Sequence, residues 1–212
     1  MIEQLIEAGR HIVEANMVKG WGGNLSGRSQ DGIVITRSGA DLGRLVPEDF
    51  VHVPWDVSVS WARENLLPRP SSELSMHMAA YATRPETQVV LHAHPPKSIS
   101  VGLIGHSLPA LTPDFYLHLG PAVPLLSYIT PTTEELGTAV AALLHTAPAI
   151  LLQNHGAIVI GRTTGQALLR LNLLEEQASI YLDALAAGKP RTLTAEDMRQ
   201  LDQVTGGRYR YN

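Results

Sequence analysis

Ile2, Leu5, Ile6, Ile12, Val13 and Met17 recur at helical spacing with charged residues between them. They predict an amphipathic helix over residues 2–18 that closes near Gly20. The stretch GWGGNLSGRSQDGIVITRSG then reads as two short strands around an Asp31-Gly32 turn, bracketed by glycines. Phe50 to Val53 and Val57 to Trp61 alternate like a further strand pair. RPSSELSMHMAAYA predicts a helix that starts behind Pro70 with serines as caps and ends at Arg84-Pro85. VVLHAHPP is an apolar strand stopped by two prolines, and residues 97–104 can form a short helix after it. Val123 to Tyr128 reads as strand and Thr133 to His145 as helix. AILLQNHGAIVIG has the shape of strand, tight turn and returning strand. Residues 164–187 form a long helical pattern with Gly188 as its cap and Pro190 just beyond. Thr194 to Asp197 opens a last helix with a capping-box pattern, before a glycine-hinged, aromatic tail. With no repeat and no linker, the 212 residues predict one α/β domain, 1–212, whose hairpin-like pieces argue for a largely antiparallel sheet.

Composition narrows the function. A hydrophobic fraction of 44% and a charged fraction of 17% describe a globular chain able to build a core. The net charge is −4 with no basic cluster, which argues against nucleic acid and anionic membrane as partners. There are no cysteines, so disulfides, thiolate metal sites and cysteine nucleophiles are all excluded. The charged N-terminus lacks a signal-peptide core, and the longest greasy stretch, Ala139 to Leu152, is too short to span a bilayer. A cytoplasmic protein is expected.

The chemistry concentrates in a few places. Alternate strand residues share a face, so His92 and His94 point the same way at a strand end. Such a pair is either hydrogen-bonded at a strand edge or offers two metal ligands from one rigid element. His155 sits in a tight turn beside glycine, which aims a side chain out of a sheet end; alone it reads as a turn histidine. Three neutral imidazoles and an open fourth position suit a catalytic zinc. The other six histidines, 11, 52, 77, 106, 118 and 145, have no partner spacing and read as surface or filler. Glu73, in the first turn of its predicted helix, is either a favourable N-terminal acid or a functional carboxylate. Ser71 and Ser72 are caps or an anion site, since a helix N-terminus offers free N–H groups. GGNLSGR and TRSGAD are hairpin turns or backbone cradles for an anion, with Asn24, Ser26, Ser38, Arg28 and Arg37 as polar contacts.

Together, GGNLSGR, ITRSGAD, RPSSE, HAHP and QNHGAIVIG resemble, in order and spacing, the class II aldolase/adducin family over nearly the whole chain. The resemblance implies a three-layer αβα sandwich, assembled as a ring homotetramer with each active site at a subunit interface. It implies zinc bound by His92, His94 and His155, with Glu73 both a resting ligand and the catalytic acid/base. Gly23, Asn24, Ser38, Gly39, Ser71 and Ser72 would hold a substrate phosphate. The implied reaction is retro-aldol cleavage of a ketose 1-phosphate to dihydroxyacetone phosphate and an aldehyde. A pentulose-phosphate 4-epimerase, a methylthioribulose-1-phosphate dehydratase and a sugar-acid-phosphate decarboxylase would use the same parts, and an adducin-like structural module would use only the fold. An amidohydrolase also begins with a His-x-His strand but needs a longer barrel chain. Two departures stand out. Arg37 replaces a proline common in the family, and Pro113 falls where aldolases place a proton-donating tyrosine, with Tyr116 three residues later. The family's C-terminal tyrosine would be Tyr209 or Tyr211.

Overall fold

The computed structural model describes residues 1–207. Helix α1 (Ile2–Glu14) buries Leu5, Ala8 and Ile12 and leads to strands β1 (Asn24–Arg28) and β2 (Gly32–Thr36). Two single 3₁₀ turns, Leu42–Arg44 and Pro47–Asp49, precede β3 (Phe50–Pro54). Helices α2 (Val59–Asn65) and α3 (Leu74–Thr83) come next, then β4 (Val89–Ala93) and α4 (Pro96–Leu103). Short β5 (Leu108–Pro109), α5 (Pro113–Leu119), β6 (Ala122–Val123) and β7 (Leu125–Leu126) follow. The chain continues through α6 (Glu134–Leu144), β8 (Ala149–Leu152), β9 (Gly156–Gly161), the long α7 (Thr164–Ala187) and α8 (Ala195–Thr205).

Seven strands form one sheet in the order β3-β2-β1-β4-β9-β8-β7, and β5 pairs with β6 apart from it. The expected largely antiparallel sheet is present, with a single parallel pair, β7 and β8, at its edge. Strand alternation sorts the side chains into two cores. Leu25, Leu91, Ala157 and Val159 pack with residues of α1, α5 and α7, whereas Ile35, Val90, Ile150 and Ile158 pack with α3 and α6. The central strands β4 and β9 contribute to both cores, so they read as continuous apolar runs.

Several elements depart from the sequence expectations. Helix α1 stops at Glu14, and Asn16 takes a left-handed φ of 57° well before Gly20. Val57 to Trp61 is not a strand. Ser58 accepts a hydrogen bond from Trp61 N–H and caps α2, so a local cap sets the segment as helix. The run from Val123 to Tyr128 is divided at Pro124, which has no N–H; β6 turns to β5, while β7 joins β8. Helix α5, absent from the sequence reading, starts with Pro113 behind the capping Thr112. His52 lies on a strand, β3, and bonds to Asp31.

Two long-range side-chain contacts tie the helices together. Glu175 of α7 accepts from the backbone N–H groups of Lys97 and Ser98 and from the Ser98 hydroxyl, capping α4 just after His94. The buried Tyr116 hydroxyl of α5 donates to Asp202 of α8 at 2.9 Å. No helix among the described residues is long and apolar enough to cross a membrane. Ile158, fully buried in the centre of the sheet, is expected to cost about 2–5 kcal/mol when changed to Ala. Val204→Ala, at a position 87% exposed on α8, should stay within about 0.5 kcal/mol. Denaturant titration of the two variants checks the contrast.

Candidate active site

The ends of β4 and the β8–β9 turn bring three imidazoles together. His92 lies inside β4, and His94 follows it, anchored by its N–H donating to the Met17 carbonyl at 2.8 Å. His155 projects from the turn before β9, where Asn154 adopts a left-handed φ of 57° and His155 N–H closes onto Leu152 O. The ring nitrogens available for coordination all lie within 4.8 Å of one another. Packing this tight leaves no room for a side chain next to His94. A Cβ on Gly22 or Gly156 would come within 2.7 Å of its ring, and on Gly156 within 2.3 Å of Ala93 O.

Glu73 completes the group. It occupies the N-cap position of α3 and not the first turn, yet its side chain caps nothing. Ser71 Oγ accepts the Glu73 N–H instead, which frees the carboxylate to face the histidines. Its Oε2 lies 3.1 Å from His92 Nε2 and its Oε1 3.2 Å from His155 Nε2. Burial alone would raise the carboxyl's pKa, but the neighbouring His92 and His155 outweigh it and hold the group ionised, well below the usual range. Burial, with His92 and His155 nearby, lowers the His94 pKa to about 4, so this ring is neutral near pH 7. His92 Nδ1 faces the Ala157 carbonyl at 3.0 Å, so its Nε2 faces the cluster. Glu73 Oε1 is buried without a well-aligned hydrogen-bond donor. Three converging imidazole nitrogens and a carboxylate oxygen without a well-aligned donor fit a divalent cation.

The proposed phosphate residues fall into two groups. Ser38 N–H donates to Arg69 O, Ser71 N–H to Thr36 O, and Arg37 bridges Pro70, so the loops 36–39 and 69–72 are laced side by side. Beside them lies a depression of about 300 Å³ lined by Ser38, Arg63, Arg69, Pro70, Ser72 and Thr132. Gly39, with φ +70°, has open space where a Cβ would stand. Gly23, with φ +73°, abuts the His92 carbonyl, and Asn24 follows it with its amide donating to Glu73 Oε2 at 2.9 Å. Tyr116 is engaged with Asp202, and Tyr209 and Tyr211 lie outside the described residues.

The sequence reading missed two residues. His77 is not filler: fully buried, it bonds to Asn24 Oδ1 and Ser26 Oγ directly behind Glu73. The signal was its four-residue spacing from Glu73, which puts both on one helix face. Arg63 of α2 reaches the same depression, donating to the Ser72 carbonyl, and its Nε is buried without a partner. Nothing in the local pattern pointed to it, because its segment reads as strand.

The family described as "Class II Aldolase and Adducin N-terminal domain" matches residues 3–182. A 5-methylthioribulose-1-phosphate/5-deoxyribulose-1-phosphate aldolase of Rhodospirillum rubrum is 33% identical over 197 residues, covering 93% of this chain and 87% of that one. An L-fuculose phosphate aldolase of Escherichia coli is 30% identical, covering 93% and 89%. A solved L-fuculose 1-phosphate aldolase superposes with a TM-score of 0.86 at 29% identity, covering 96% of this chain and 95% of that one. The resemblance carried by the five motifs is borne out by the full-length matches. The chain belongs to the class II aldolase and adducin family and is one of its metal-dependent aldolases.

Proposed function

We propose that the protein cleaves a ketose 1-phosphate, of the L-fuculose 1-phosphate or 5-deoxyribulose 1-phosphate type, to dihydroxyacetone phosphate and an aldehyde. The observation that carries this is the ionised Glu73 carboxylate meeting three imidazoles at one sheet end, beside a serine- and arginine-lined depression. The relatives' names join a phosphorylated ketose to an aldolase, and their substrates differ mainly at the aldehyde end. The shared phosphate and ketone are therefore the part assigned to these residues. The two separate cores support a three-layer αβα reading of a single domain, 1–212. The tetramer and the roles of Tyr116 and Tyr209 as proton donors rest on the resemblance alone.

His92, His94 and His155, with Glu73 at rest, would hold a zinc ion. When bound, it supplies Lewis acidity to the substrate's carbonyl end. Ser38, Gly39, Ser71 and Ser72 would take the phosphate, with Arg63 and Arg69 adding charge at the same depression. In cleavage the bond between C3 and C4 breaks, its electron pair stays on C3 next to the ketone, and the C4 hydroxyl gives up its proton as the aldehyde forms. One proton is taken up at C3 in exchange, so none is consumed overall; Glu73 would gain a proton during cleavage and pass it to C3. In condensation the carboxylate would remove that proton.

Zinc-loaded protein is expected to release dihydroxyacetone phosphate from ketose 1-phosphates in a panel that also contains 5-phosphates. An epimer, a dehydrated product or a decarboxylated acid instead would overturn the assignment. About one zinc ion per chain is expected, lost with activity in His94→Ala; full activity after chelation would remove the metal from the scheme. Glu73→Gln keeps the shape but cannot carry the proton. It should fold, retain zinc through the three histidines and lose at least about a hundredfold in turnover. Near-normal turnover would take Glu73 out of the mechanism.

A further inference from the structure

Behind the Glu73 carboxylate lies a row of buried polar side chains that cleavage itself does not use. Glu73, His77 and Tyr81 follow one another at four-residue spacing along α3, while Asn24 and Ser26 alternate along β1. A helix advances about 6 Å in four residues and a strand about 6.8 Å in two, so the two rows stay in step. They interlock. Asn24 Nδ2 donates to Glu73 Oε2 at 2.9 Å, and His77 Nε2 lies 2.6 Å from Asn24 Oδ1. Ser26 Oγ lies 2.6 Å from His77 Nδ1 and 2.8 Å from the Tyr81 hydroxyl. All four supporting residues are buried.

The two ends of the Asn24 amide set the direction of every link. Its nitrogen donates to Glu73 Oε2 and its oxygen faces His77 Nε2. That oxygen only accepts, so His77 must carry its hydrogen on Nε2. Burial, with His92 nearby, lowers the His77 pKa to about 3, and the ring is neutral. Its Nδ1 is then bare and accepts from Ser26, whose own oxygen accepts from Tyr81. Tautomer and amide orientation follow from this network. A flipped Asn24 would set its carbonyl oxygen against the carboxylate.

We propose that His77, braced by Ser26 and Tyr81, is a positioning residue for Glu73. It locks the Asn24 amide so that Oε2 of the carboxylate is tethered and Oε1, which has no well-aligned donor, is the oxygen left for the ion and the proton. The proposal rests on the acid/base reading of Glu73. It also gives Asn24 a duty toward the carboxylate in place of the phosphate.

The test compares His77→Leu, which removes the link, with His77→Gln, whose carboxamide can donate to Asn24 and accept from Ser26. Each is assayed for metal content, melting temperature, kcat and KM on the ketose 1-phosphate, and for the visible absorption of the cobalt-loaded protein. His77→Leu should keep about one metal per chain and lose about 10–100-fold in kcat with little change in KM, the range seen when groups supporting metal ligands are removed. Its cobalt spectrum should move toward that of Glu73→Gln. His77→Gln should recover most of the rate and the wild-type spectrum. Ser26→Ala, which removes one oxygen and little packing, should lower kcat in the same sense and covers the case in which His77→Leu does not fold. Normal kcat and spectrum in Ser26→Ala or His77→Leu would overturn the proposal. So would equal losses in Leu and Gln variants that track melting temperature. If the wild type cleaves no ketose 1-phosphate, the substrate reading fails, while the cobalt spectra still decide whether His77 positions Glu73.

Discussion

A charged carboxylate kept out of water is the constraint around which this site is built. Glu73 is only 7% exposed, and burial by itself would drive it neutral. It stays ionised because Asn24 donates to one oxygen and His92 and His155 face it within 3.2 Å. The surrounding groups must then be neutral imidazoles or a cation, and His94 and His77 are both held neutral by burial and by their neighbours. The proposed metal binding and proton transfer would both draw on this one electrostatic arrangement.

The fold delivers that arrangement through two repeat lengths. Alternation on β4 puts His92 on the face that also carries Val90, and the register pairs His92 with Asn24 of β1. One sheet face therefore carries a candidate metal ligand, the residue that holds Glu73 and part of an apolar core. Helix α3 lies over this face with Leu74, Met76 and Ala80 in the core and Glu73, His77 and Tyr81 along the polar row. The opposite face carries Leu25, Leu91, Ala157 and Val159 and packs against α7, whose Glu175 also caps α4 beyond the histidines. Rigidity at the strand end comes from that clamp and from glycines that let backbone pack against the rings.

The substrate side is assembled differently. Ser38 and Ser72 reach one depression only because loops 36–39 and 69–72 are joined by backbone hydrogen bonds. Arg63 enters from α2, a helix that exists through the Ser58 cap. The positive charge that Arg63 brings to this depression thus depends on a segment whose alternating pattern suits a strand.

The sequence by itself determined the ligand chemistry and the order of the main elements. His92 and His94 share a face because strand geometry has period two, His155 is aimed by a glycine turn, and the absence of cysteine leaves nitrogen and oxygen as donors. Strong local signals, such as the capping box at Thr194 and the long pattern of α7, were legible for the same reason: both partners sit within a few residues. Only the tertiary structure decided what meets across distance. Asn24 and His77 are 53 residues apart, and the register of β1 against β4 and the seating of α3 bring them together. The same holds for Arg63 beside Ser72 and for Tyr116 on Asp202, 86 residues away. Local periodicity specifies which face a side chain takes. It carries no record of which face lies opposite, and that pairing is settled when the sheet and its helices pack.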